Sequence, residues 1–121
     1  MLQYNKLYQS LKKVSAEWHA GHVQWDFCWD YLKFYKDGIV INAYTPTDKV
    51  SEINVWLDIK NTKGEFPIGK FTILENKISI ELESSNSTVK IDGVIINDTL
   101  ILRKTNSFNH TENWDYYGLV D

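Results

Sequence analysis

Between Gly69 and Thr105 apolar and polar side chains alternate with a period of two. Phe71 and Ile73 alternate with Thr72 and Leu74, and Ile78, Ile80 and Leu82 interleave with Ser79, Glu81 and Glu83. Val89 and Ile91 alternate with Lys90 and Asp92, and Leu100 and Leu102 resume the pattern further on. A pleated strand sends successive side chains to opposite faces, so each run has one apolar and one wet face. Glu75-Asn76-Lys77, Ser84-Ser85-Asn86-Ser87 and Asn97-Asp98 break the runs. The stretch therefore predicts four short strands joined by turns, with Asn76 taking the positive φ of its hairpin.

The same grammar extends through most of the chain. Trp25, Phe27 and Trp29 are expected on one face of a first strand, with Asp26, Cys28 and Asp30 on the other. Asp37-Gly38 separates YLKFY from IVINAY, a strong hairpin signal. Pro46 interrupts the ladder again. Ile53, Val55, Leu57 and Ile59 alternate with Asn54, Trp56 and Asp58, which reads as another strand, and Trp114 to Val120 reads as a closing one. The N-terminus differs. Tyr4, Leu7, Tyr8, Leu11 and Val14 fall at helical spacing, which predicts an amphipathic helix over 1–14.

Together these give about eight strands at the spacing of a sandwich or barrel. Short connections favour an antiparallel meander. A meander leaves two edges open unless its first and last strands pair, and barrel closure removes them. The expected fold is mainly β: a roughly eight-stranded up-and-down barrel, or a strongly curved sheet, with an N-terminal helix. Residues 1–121 make one domain, with the meander over about 24–120.

The phrases YLKFYKDGIVI, GKFTILENKISI and GVIINDTLIL resemble the strand-and-turn layout of the calycin group, the lipocalins and their lipocalin-like relatives. The resemblance covers about Trp25 to Val120. It implies a ligand-holding barrel and an arginine packed across a tryptophan, for which Arg103 is the only arginine available.

Composition narrows the function classes. A net charge of -3 does not favour nucleic acid. No apolar run approaches the roughly 20 residues of a membrane-spanning helix, and MLQYNKLYQSLKK lacks the form of a signal peptide, so cytoplasmic residence is the expectation. One cysteine, Cys28, excludes an internal disulfide. Aromatic residues make up 14% of the chain, enough to supply either a large core or a binding surface.

Candidate chemistry is sparse. His19, His22 and Cys28 are of zinc-ligating type, with His110 as a further donor, but exposed turn histidines explain the pattern without a metal. Cys28 reads as a structural thiol rather than a nucleophile. Asp26, Asp30, Asp58, Glu81, Glu83 and Asp92 read as solvated strand-face charges rather than an acid–base pair. No catalytic residue, metal or cofactor is assigned.

The leading expectation is a non-enzymatic domain that binds a small apolar or amphipathic ligand inside the barrel. Phe34, Ile41, Val55, Phe71, Ile80, Ile91 and Leu102 would line it. The alternative is a protein-interaction module of inhibitor or immunity type, with Trp56 as a partner contact.

Overall fold

The computed structural model describes residues 2–10, 14–16, 26–45, 48–58, 67–84, 87–106 and 112–120. They form β1 (Leu7–Ser10), β2 (Val14–Ala16), β3 (Asp26–Phe34), β4 (Ile39–Thr45), α1 (Val50–Trp56), β5 (Ile68–Leu74), β6 (Lys77–Ser84), β7 (Ser87–Ile96), β8 (Thr99–Asn106) and β9 (Glu112–Leu119). From β3 to β9 each strand pairs antiparallel with the next. β1 closes the circle. Tyr8 lies opposite Leu119 of β9 on one side and Leu32 of β3 on the other. The result is a closed eight-stranded antiparallel barrel, extended along the edge of β3 by β2, where Val14 faces Cys28.

The N-terminal segment is thus strand where the spacing predicted a helix. Closure explains why. Without Leu7–Ser10, the edges of β9 and β3 would leave a row of unpaired backbone groups. Leu7 and Tyr8 are both fully buried, on opposite faces of β1. A strand covered on both faces shows no alternation, and its apolar pairs imitate helical spacing.

The reverse correction applies to Ile53–Ile59, predicted as a strand. Val50–Trp56 is the helix α1. Ile53 and Leu57 are fully buried, whereas Val55 is 59% exposed. Positions four apart satisfy both a period of two and one face of a helix, so the alternation was ambiguous. α1 packs outside the barrel. Ile53 and Leu57 join Leu7, Tyr31, Ile41 and Ala43 in a cluster on the outer faces of β1, β3 and β4. Burying each of these two side chains is worth about 1.5–3 kcal/mol. The Tyr35 hydroxyl donates to Leu57 O, and Lys33 Nζ donates to Asn54 O at 3.3 Å, which fixes the helix on the wall.

The main core fills the barrel. Tyr8, Leu32, Phe34, Val40, Phe71, Ile78, Ile80, Leu82, Ile91, Ile95, Leu100, Leu102 and Tyr117 form one buried cluster with Leu2. Phe34 meets Phe71 edge-on with ring centroids 5.1 Å apart, and Tyr8 meets Phe34 at 5.7 Å. Tight curvature requires glycine at two points. A Cβ on Gly69 would stand 1.8 Å from Glu81 O, and one on Gly93 would stand 2.0 Å from Ile101 O.

The turns after β3, β5 and β7 gather at one end of the barrel. Gly38 and Asn97 carry positive φ as turn residues, but in the β5–β6 turn it is Glu75, at φ 60°, and not Asn76. The first residues of the chain cover this end: Leu2 enters the core, and Asn5 N donates to Phe34 O at 2.8 Å. At the opposite end β4, β6 and β8 finish and β5, β7 and β9 begin.

Candidate ligand site

Five of the seven side chains expected to line a ligand, Phe34, Phe71, Ile80, Ile91 and Leu102, belong to the cluster inside the barrel. The other two do not. Ile41 lies beneath α1 on the outer wall, and Val55 lies on α1 itself. Strand phase explains Ile41: Val40 points inward, so its neighbour points outward.

The same rule turns Asp30, expected on a wet face, toward the interior. Asp30 is not a solvated surface charge. It is 1% exposed, on the face of β3 that carries Leu32 and Phe34 into the barrel. Trp29 lies on the other face, packed against the outer cluster. Following the phase back from Phe34 through Leu32 would have revealed this. The run of Trp25, Phe27 and Trp29 instead suggested that the aromatic face was the inner one.

Around Asp30 the barrel has a buried polar belt. Asn42 Nδ2 donates to Asp30 Oδ1 at 2.5 Å and to Tyr31 O at 2.9 Å. The Tyr117 hydroxyl donates to Asp30 Oδ2, and Asp30 N donates to Ser10 Oγ at 3.0 Å. Ser10, Asn42 and Tyr117 are each at least 96% buried. The four residues come from β1, β3, β4 and β9, the strands at and beside the closure of the barrel. β1 is only four residues long. A carboxylate gripped from neighbouring strands favours one register over slipped alternatives. The wall continues past the belt toward the end opposite Leu2: β3 by Asp26–Trp29, β4 by Ala43–Thr45 and β9 by Glu112–Tyr116.

Two buried phenols lie apart from the belt, Tyr31 in the outer cluster with Ile53 and Leu57 and Tyr8 with its hydroxyl toward Gln3 at the end that Leu2 covers. Burial pushes the Tyr8 hydroxyl above its usual pKa, opposed by the hydrogen bond from Gln3 N and reinforced by the charge of Asp98. Burial also raises Tyr31, opposed by the bond with Gln9 and reinforced by Asp48.

The outer surface carries other features. Glu81, Glu83 and Asp92 are exposed, as expected of wet strand faces, and Glu81 lies opposite Lys90 and Lys70 across its two ladders. Trp56 is 39% exposed on α1. Trp114 and Tyr116, two apart on β9, are 55% and 52% exposed, and the Arg103 guanidinium lies 5.4 Å from the Trp114 ring centroid. Arg103 therefore does pack over a tryptophan, on the outside of the wall. An open groove of about 450 Å³ runs over Ile39, Ile68, Gly69, Lys70, Glu81 and Glu83.

His19, His22 and His110 lie outside the described residues, and Cys28 is placed only by its backbone pairing. Among the described residues no group of three or more His, Cys, Asp or Glu could hold a metal. Among them, too, no helix is long and apolar enough to cross a membrane. The closed barrel has the layout of a lipocalin-like domain and is compatible with a binding role. Comparison with protein-family models, with curated proteins and with solved structures finds no match for this chain.

Proposed function

We propose that the protein is a non-enzymatic binding domain of lipocalin-like type that holds a small amphipathic ligand within its barrel. The ligand enters at the end opposite Leu2 and rests against the polar belt, with Leu102 and Ile91 supplying apolar contacts. The observation that carries this reading is the two-part interior. One end is packed with apolar side chains and capped by the N-terminus, while a buried carboxylate stands where the wall continues toward the other end. Apolar walls with a few placed polar groups are what small-ligand sites use. Phe34 and Phe71 are already packed edge-on against each other, so they serve as the floor.

The test is native mass spectrometry of the purified protein, repeated after denaturation. A non-covalent mass that disappears on denaturation supports the reading. A clean apo mass, combined with unchanged Leu102 and Ile91 methyl signals when small amphiphiles are added, would sink it.

A second reading, a protein-interaction module, draws on the exposed Trp114, Tyr116 and Trp56. Large exposed aromatics on rigid elements are the usual anchors of protein contacts. Replacing Trp114 and Tyr116 by alanine would then abolish partner binding and leave uptake of small molecules intact.

A further inference from the structure

The outer wall carries a block of side chains that is complementary to itself. Ser79, Asp92, Arg103 and Trp114 form one row across β6, β7, β8 and β9, each directly opposite the next in the ladders. Lys77, Val94, Ile101 and Tyr116 form the adjoining row on the same strands. Directly opposed residues share one face of a sheet. This face is the outer one, because Ile80, Ile91, Leu102 and Tyr117 point the other way into the core. Trp114 and Tyr116 are more than half exposed, and Val94 and Ile101 are only partly covered. The wall thus holds two aliphatic side chains and two large aromatics against water, an arrangement typical of a contact surface.

We propose that this block is the interface of a symmetric dimer, its occupant a second copy of the same chain. The two-fold axis lies in the interface and runs along the strands between β7 and β8. It exchanges β7 with β8 and β6 with β9 and keeps each row in place. Asp92 then meets the partner's Arg103, and Arg103 meets the partner's Asp92. Val94 rests on the partner's Ile101, and the Tyr116 ring faces the partner's Lys77 as a cation–π pair. Trp114, the largest side chain of the block, falls over the partner's Ser79, the smallest. Each contact occurs twice, as a closed two-fold interface requires. An axis across the strands, through the Val94 row, would instead set Asp92 on the partner's Ile96 and form no charge pair.

Shape favours the same axis. Barrel walls are convex, so two of them approach closest at β7 and β8 and diverge toward β6 and β9. In the Val94 row the short aliphatic side chains stand at the line of closest approach, and the longer Tyr116 and Lys77 stand at the margins. Trp114 steadies the charged centre, since its ring centroid lies 5.4 Å from the Arg103 guanidinium. Contact between convex walls over four strands falls below about 1,200 Å², the range of weak and reversible complexes. The expected Kd is therefore about 10–100 µM. This inference rests on the interaction-module reading, to which it gives a partner, and is independent of ligand carriage.

The experiment is sedimentation velocity of the full-length protein from about 5 to about 500 µM, a range that brackets the expected Kd. The mean mass should rise from that of one chain toward that of two. A constant monomer mass would overturn the dimer and leave the module reading to a partner of another sequence. Asp92→Arg and Arg103→Glu should each weaken association by about tenfold or more, because like charges then meet twice. An equimolar mixture of the two variants should recover it, since opposite charges again face each other at both positions. Unchanged association in the single variants, or no recovery in the mixture, would overturn the pairing. Should either variant not fold, Tyr116→Ser, at a site 52% exposed, replaces it. A loss of about tenfold there supports the interface, and an unchanged Kd overturns it.

Discussion

Replacing Tyr117 by phenylalanine tests whether the belt holds the barrel closed. The substitution keeps the ring in the core, where Tyr117 is 1% exposed, and removes only the hydroxyl that donates to Asp30 Oδ2. A hydrogen bond to a charged group contributes roughly 1.5–3 kcal/mol, and a buried oxygen deprived of its donor bears most of that as a desolvation penalty. The expected loss is therefore about 2 kcal/mol. It can be read by urea unfolding at neutral pH, followed by tryptophan fluorescence and by circular dichroism. With a slope of about 1–3 kcal/mol per molar urea, the midpoint should fall by roughly 1 M with little change of slope. Repeating the change in an Asp30→Asn background isolates the pair. There the same hydroxyl meets a neutral partner, and its removal should cost about 1 kcal/mol less. A loss below about 0.5 kcal/mol in the native background, or an equal loss in both backgrounds, would refute the claim that this bond bears on closure.

The remaining predictions concern curvature, the outer helix and alkaline pH. Gly93→Ala places a Cβ 2.0 Å from Ile101 O, so β7 and β8 must separate; a loss of about 3 kcal/mol is expected in the same unfolding assay, and a neutral result would show that the wall yields freely. Ile53→Ala removes a fully buried side chain from the cluster under α1 and should cost about 2–4 kcal/mol, with faster amide exchange in Val50–Trp56 than in β6 and β7. Tyr8 and Tyr31 hold their protons more tightly folded than unfolded. Their contribution is therefore fully present below about pH 10, the unfolded value, and is lost as pH rises through the folded values. Tyr31→Phe should flatten the loss of stability above pH 10 relative to the native chain; an identical profile would remove Tyr31 from the account.

The alternation along β5 to β8 was legible because those strands have one wet face and one dry one, and so were the Asp37-Gly38 and Asn97-Asp98 turns. That Phe34, Phe71, Ile80, Ile91 and Leu102 share an interior also followed from phase alone. What the sequence by itself determined, then, was the antiparallel meander and most of its inward-facing set, because period-two patterning and turn chemistry are local properties.

Tertiary structure decided the rest. Leu7–Ser10 is a strand because two open edges required a partner, and its neighbours cover both of its faces. Val50–Trp56 is a helix because Ile53 and Leu57 found an apolar surface on the outside of the wall, and a spacing of four serves a helix as well as a strand. Asp30 is the sharpest case. Its letter is that of a surface residue, and only the closure that brings Ser10, Asn42 and Tyr117 around it makes burial tolerable. Local pattern fixes which way a side chain points relative to its neighbours, but partners from distant strands determine whether a charge can survive there.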